Sequence, residues 1–334
     1  MTDHTASAAT TPAPSLIDRL KRFGTLRASG LIWVLLVMVI VAAIYKPTFI
    51  NPSNLVSVAR QTALFGIVAI GMTMVILTAG IDLSVGSIVA VAGVVCATML
   101  DAGLPVWSVV IVGLAIGATL GAINGAVIVI GRVPPFIMTL GMMVIGRGLA
   151  MTISGGHPVH FREAADSFSW LGQGFMLGLP VPVWVFMLVA AIGFFVLRYT
   201  AFGRTIYAVG SNPEAARLSG INVGATIFSV YLISGFLAGL TALIMISRLT
   251  VGEPVLATGL ELEAIAMTVI GGTSLFGGEG GVIGTILGAA IVTVLANMLN
   301  LFGVSPFTQQ IVKGFIIVAA VLFETYRRNR NSAK

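Results

Sequence analysis

Few side chains in this 334-residue sequence are of the types that carry chemistry. Three histidines, His4, His157 and His160, one cysteine, Cys96, and twelve acids are the inventory. His157 and His160 have a spacing that hints at metal, yet no acid or cysteine pair accompanies them, and a solvated loop explains them better. Cys96 lies inside an apolar run, which excludes an intramolecular disulfide and a thiolate cluster and leaves a small core residue. No G-x-x-x-x-G-K-[ST] loop occurs, so the chain does not bind and hydrolyse ATP in the usual way. No metal, cofactor or catalytic residue is expected, and the chain does not read as an enzyme.

The acids also bear on energy coupling, because a proton-coupled carrier wants carboxylates within its spans as relays. Asp82, Asp101, Glu163, Asp166, Glu214, Glu253, Glu261, Glu263, Glu279 and Glu324 instead border the apolar runs or lie outside them. That argues against a carrier driven by protons.

The elements that must position any site are set by composition. Hydrophobic residues make up 57% and charged residues 9%, and mean hydropathy is +1.05, far from the roughly 25% charged residues of a soluble domain. Apolar runs fall at about 31–45, 61–79, 85–100, 105–130, 135–153, 181–198, 224–247, 260–271, 281–301 and 307–325. At about 20 residues per crossing they predict an all-α polytopic membrane protein of about ten transmembrane helices. The run at 260–271 is short and glycine-terminated, and a broken or re-entrant helix would fit it. No cleaved signal peptide precedes the first run, so residues 1–29 read as a disordered cytoplasmic tail and 30–326 as the membrane domain.

The net charge of +6 sits in short flanks rather than in a patch, which reads as topology and not as nucleic-acid binding. With the N-terminus inside, ten spans put twelve basic residues in the cytoplasm: Arg19, Lys21, Arg22, Arg27, Arg132, Arg198, Arg204, Arg217, Arg327, Arg328, Arg330 and Lys334. The other face receives Lys46, Arg60, Arg162 and Arg248. This asymmetry predicts both termini inside, including the basic tail 327–334. Residues 154–180 then form an outer loop, and 199–223 a cytoplasmic one.

Small residues set helix packing in lipid. Gly113, Gly117, Gly121 and Gly125 share one face of the fourth run, and Gly280, Gly284 and Gly288 repeat the device in the ninth. A short internal echo links AIGMTMVI at 69–76 with AIAMTVIGG at 264–272.

The most informative loop is AFGRTIYAVGSNPEAARLSGINVG at 201–224. Ser211 and Glu214 have capping-box spacing. Asn212 offers an alternative cap with Pro213 at the first helical position, and Gly220 stands where a helix end needs left-handed backbone. A helix over about 212–219 is predicted, too short to be stable without a partner or the membrane body.

Elsewhere, Asp82 and Ser84 in GIDLSVG read as an N-cap of the third span, or as a gate. Polar side chains within spans are candidates for a pathway: Thr73, Asn124, Asn297 and Asn300, with Gln309 and Gln310, offer donors and acceptors to a hydroxylated solute. Phe136 or Trp184 would serve as an aromatic platform. Arg147 and Lys313 are charges within spans for which snorkelling or pairing is expected. Six glycines in GGTSLFGGEGG at 271–281 imply a tight turn or broken helix.

The segments GIDLSVG at 80–86, PPFIMTLG at 134–141, RGLAMTISGG at 147–156, NPEAARLSGINV at 212–223 and AIAMTVIGGTSLFGGEGG at 264–281 together resemble the permeases of ribose-type, binding-protein-dependent ABC importers. The likeness runs in order from about residue 30 to 326. It implies a type II importer-like permease in the inner membrane, working as a homodimer or with a close relative. It further implies an ABC ATPase subunit with two nucleotide-binding cassettes and a periplasmic or surface sugar-binding protein. In that family the cytoplasmic loop helix inserts in the ATPase, which assigns ATPase coupling here to Asn212, Pro213, Glu214, Ala215, Ala216, Arg217 and Gly220. The solute expected is a monosaccharide such as ribose or xylose. A polyol or amino acid on the same architecture, or a stand-alone secondary carrier, are the alternatives.

Overall fold

Proline and glycine punctuate the apolar runs, and several helices begin at a proline or end beside a glycine. The computed structural model describes residues 26–161 and 165–332. The tail 1–25, together with Arg162, Glu163 and Ala164 and the last two residues, lies outside the described residues. The membrane helices are α1 (Leu26–Tyr45), α2 (Pro52–Leu77), α3 (Val85–Asp101), α4 (Val106–Ile130), α5 (Pro135–Ser154), α7 (Val181–Tyr199), α10 (Val223–Leu249), α11 (Leu260–Ile270), α12 (Val282–Leu301) and α13 (Pro306–Ser332). Between α5 and α7 lies the short α6 (Ala165–Gln173), and between α7 and α10 lie α8 (Ala201–Ser211) and α9 (Pro213–Leu218). Pro52, Pro135 and Pro213 occupy the first helical position, where a missing amide costs nothing.

Ten helices thus coincide with the ten apolar runs. Among the described residues six of them, α2, α4, α5, α7, α10 and α12, are long and apolar enough to cross a membrane. With 11 residues, α11 reaches only about 16 Å. The short run at 260–271 is therefore a broken element, flanked by the non-helical segments 253–259 and 271–281.

The outward faces of α1, α5 and α7 expose large apolar side chains, among them Trp33, Val144 and Leu188. Lipid is the solvent such faces suit. Inside, α10 packs against α2, α3, α4, α6 and α8. Its seam with α4 is built on glycine: a Cβ on Gly117 would stand 2.8 Å from the Cα of Gly239, and one on Gly235 2.8 Å from the Cα of Gly121. Gly125 packs on Phe228 in the same row, whereas Gly113 meets Leu243 and Cys96. Gly284 and Gly288 bring α12 equally close to Gly271 and Met267. Both glycine faces thus serve backbone-to-backbone packing. Gly280 stands apart from its stripe, in the turn before α12 with φ of 136°.

Two short strand pairs order the connections between helices, and the first joins two of them. β1 (Val159–His160) runs antiparallel to β4 (Val251–Gly252), with Val159 opposite Gly252, and β2 (Phe175–Met176) pairs with β3 (Leu179–Pro180). His160 is thereby a strand residue. No group of three potential metal-binding side chains occurs among the described residues.

Candidate functional site

Two stretches interrupt the helical body, and polar side chains gather around both. The first is 78–84, which turns back from the end of α2 through Ala79, held at φ of 60°, a costly region for a residue with a Cβ. Asp82 here is completely buried. Its Oδ1 accepts from the backbone N–H of Ser84 at 3.0 Å and from the Ser84 hydroxyl at 2.6 Å. Its Oδ2 accepts the Ser234 hydroxyl at 2.9 Å. Asn124 Nδ2 donates to Ser84 Oγ at 2.8 Å, and the Tyr231 hydroxyl donates to the carbonyl of Ile81 at 3.3 Å. Ser84 precedes α3, but its hydroxyl donates to Asp82 and caps no α3 amide. Ser234 lies 11 positions into α10, about 16 Å along its axis, so this network sits deep in the bundle.

The second stretch is 253–259, which runs from the C-terminal end of α10 to α11. Arg147 of α5 holds it, its Nη1 donating to the carbonyls of Pro254 at 2.7 Å and Leu256 at 3.0 Å. Pairing inside the protein is thus how this charge is accommodated. Glu261, in the first turn of α11, is buried, and its Oε2 has no hydrogen-bond partner among the described residues. Lys313 of α13 donates to Glu263. Three acids that border the runs in sequence, Asp82, Glu261 and Glu263, therefore belong to the interior or its rim. Both broken segments bury chain that local hydropathy reads as boundary.

The other pathway candidates are dispersed. The hydroxyls of Thr73 and Thr285 are hydrogen-bonded at 2.6 Å, and Thr73 also donates to the carbonyl of Ala69 at 2.7 Å. Thr268 donates to that same carbonyl at 3.2 Å, so the two echoed segments lie side by side. Asn297 and Asn54 exchange amide hydrogen bonds at 3.0 and 2.8 Å, clasping α12 to α2. Asn300 and Phe136 are exposed, and the indole of Trp184 donates to the carbonyl of Met176. Only Asn124 joins Asp82 and Ser84 in one cluster.

On the loop side, α9 has the predicted caps. The Asn212 side chain accepts from the N–H of Ala215 at 3.0 Å. Pro213 follows it, and Gly220 takes φ of 81° while Ile221 N–H closes on the carbonyl of Ala216. Ser211 instead donates to Tyr207 and ends α8. Glu214 and Arg217 pair at 3.0 Å on the surface, with exposures of 66% and 71%. Ala216 is buried and Ala215 exposed, so one face of α9 packs and the other is presented.

Sequence reading missed α8, although its buried Gly203, Ile206, Val209 and Gly210 carry helical spacing. Thr200 caps it by accepting from Gly203 N–H. Through α8 the loop reaches the first broken segment. Gly278 N–H donates to the carbonyl of Leu77 at 3.0 Å, Gly210 lies against both, and the Tyr207 hydroxyl donates to the carbonyl of Gly280 at 2.9 Å. Burial pushes the Tyr207 hydroxyl above its ordinary value of 10.0, with Arg198 opposing. It stays a neutral donor, and its stabilising share is full below that pH and lost as pH rises through the raised value.

The described side chains present no nucleophile and base pair and no metal cluster. They present a capped surface helix joined to a polar interior. No solved structure is significantly similar to the chain. Curated relatives match nearly its whole length. It is 45% identical to the ribose import permease protein of Escherichia coli, over 88% of this chain and 92% of the relative. Identity is 43% to the protein of that name in Haemophilus influenzae, over 87% and 91%. Against the L-arabinose ABC transporter permease protein of Azospirillum brasilense it is 36%, over 91% and 89%. Residues 54–321 match the family of permease components described as the branched-chain amino acid transport system, and the chain belongs to that family of membrane permeases.

Proposed function

We propose that the chain is the membrane-spanning subunit of an ATP-driven importer carrying a monosaccharide across the inner membrane. The observation that carries this reading is identity of 43% and 45% to proteins named ribose import permeases, over almost the full length of both chains. ATP is hydrolysed on a separate subunit with two nucleotide-binding cassettes, because this sequence has no phosphate loop of its own. A binding protein delivers the sugar at the outer loop 154–180. Two permease chains, alike or closely related, form the pathway, and both termini face the cytoplasm.

Asn212 to Gly220 form the docking element for the ATPase. Its support is geometric: a helix too short to stand alone is fixed at both ends by caps, and it holds Glu214 and Arg217 outward. Closure of the ATPases moves α9, and α8 passes the motion to 271–281 and 78–84 through Gly210, Gly278 and Tyr207.

The test is uptake of labelled D-ribose, D-xylose and L-arabinose in cells lacking the gene and in cells expressing Glu214→Ala or Arg217→Ala. Deletion is expected to abolish uptake of one sugar. The loop variants are expected to reach the membrane at normal levels yet transport poorly. Undiminished uptake of all three after deletion sinks the sugar reading, and full transport by both variants sinks the docking assignment.

A further inference from the structure

We infer that a cleft on the outer half of the bundle, between α2, α10 and the descending segment 253–259, is a transient binding station for the sugar. This deepens the proposed function and rests on it. Two hollows of about 190 and 340 Å³ adjoin there, sharing Phe65 and Met245 as their common wall. The larger falls near the lower end of the roughly 300–1,000 Å³ of small-molecule sites, which suits a ligand of monosaccharide size.

The lining carries unspent hydrogen-bonding capacity. Gln61 and Arg248 line one hollow, and Glu253 and Thr258 the other. No side-chain hydrogen bond or ion pair engages Gln61, Arg248 or Glu253 among the described residues. Lipid would make these groups expensive, so the cleft must open on water or on a polar ligand. A carboxylate accepts from sugar hydroxyls, an amide does both, and a guanidinium donates to hydroxyl or ring oxygen. Phe65 and Met245 supply an apolar wall for the C–H face of the ring.

The position is suited to hand-over. The segment carrying Glu253 and Thr258 follows directly on β4, which pairs with β1 of the outer loop. A protein docking on that loop therefore acts on the cleft through one strand pair. None of Thr73, Asn124, Phe136, Asn297 or Asn300 lines it.

The experiment uses the whole transporter, with its ATPase and binding protein, in proteoliposomes. Cys96 is the only cysteine of this chain and is buried, so alkylation of Val255→Cys at the cleft rim, read on the permease polypeptide itself, reports that position. D-ribose under turnover is expected to slow its alkylation by an impermeant maleimide at least threefold, while Ala102→Cys at the outer end of α3 is unaffected. Glu253→Gln and Gln61→Leu are each expected to change the ratio of D-ribose to 2-deoxy-D-ribose transport by about three- to tenfold, the scale of one hydrogen bond weakened or lost. If the native transporter carries D-ribose and neither measurement moves, the cleft is not a station and the proposed function stands. If it carries no monosaccharide, the proposed function and the station fall together. Protection by leucine and not by D-ribose overturns the assigned ligand class.

Discussion

Asp82 and Ser234 are 152 positions apart, and Oδ2 of the first accepts the hydroxyl of the second at 2.9 Å. The bond fixes a non-helical segment to the most heavily packed helix of the bundle. Three donors converge on the Asp82 carboxylate, two of them from Ser84. In a dry interior such a group is held by its partners, and the partners are held by it.

Replacing Asp82 by alanine would leave those donors buried and unmatched, at about 1–3 kcal/mol for each that finds no other acceptor. Asp82→Ala is expected to lower the thermal unfolding temperature in detergent more than Ser234→Ala, which removes one donor and strands one lone pair. Asp82→Asn keeps the shape and one acceptor, so it should fall between them. Equal unfolding temperatures for all three variants and the native chain would show that the network contributes no stability.

The glycine seam separates close packing from mere membrane residence. A Cβ on Gly117 meets the backbone of α10, whereas one on Gly141, in the middle of α5, meets nothing within 4 Å. Gly117→Ala is therefore expected to force α4 and α10 apart and reduce the folded fraction recovered from membranes. Gly141→Ala should be neutral or gain up to about 1 kcal/mol from helix propensity. Size-exclusion profiles of the two variants at matched expression decide it, and equal recovery refutes the seam's role.

Much of the fold could be read from the residues, and the reasons are local. Apolar runs of about 20 residues report on burial in lipid directly, so ten helices fall where the ten runs lie. The caps of α9 were legible because Asn212, Pro213 and Gly220 act on their own neighbours. What was not legible depends on distant partners. Hydropathy places Asp82 and Glu261 at span boundaries, yet the chain re-enters the bundle there and buries both. Asn54 gives no signal of its own before Asn297 is beside it. Ser234 and Tyr231 read as ordinary helix residues until 78–84 is packed against them.

The α9 variants should divide into two kinds. Asn212→Ala removes a cap worth about 1 kcal/mol and is expected to loosen a helix of six residues. The Glu214 and Arg217 pair is exposed, and such pairs contribute about 0–1 kcal/mol. Glu214→Ala should thus leave stability unchanged, and any loss of transport reports on a partner surface. Measuring thermal stability of the isolated permease beside ATP hydrolysis of the full transporter separates the two. Glu214→Ala with lowered stability and normal coupling would reverse the assignment.

Arg147 provides the sharpest test of the descending segment, because its one Nη1 serves two carbonyls, Pro254 and Leu256. Arg147→Ala leaves both acceptors unmatched and removes a cation that acts electrostatically on the buried Glu261. A lysine keeps charge but not the fork of donors, so Arg147→Lys should recover only part of the loss. Adding Glu261→Gln to Arg147→Ala deletes the orphaned charge, and the double variant is expected to be more stable than Arg147→Ala alone. That sign follows because a buried charge left without a nearby opposite charge is costly, and the double variant no longer carries one. Thermal unfolding of the native chain, Arg147→Ala, Glu261→Gln and the double variant in one detergent measures the cycle. Additive losses would mean that Arg147 acts on the carbonyls alone, and Glu261 would then need another role.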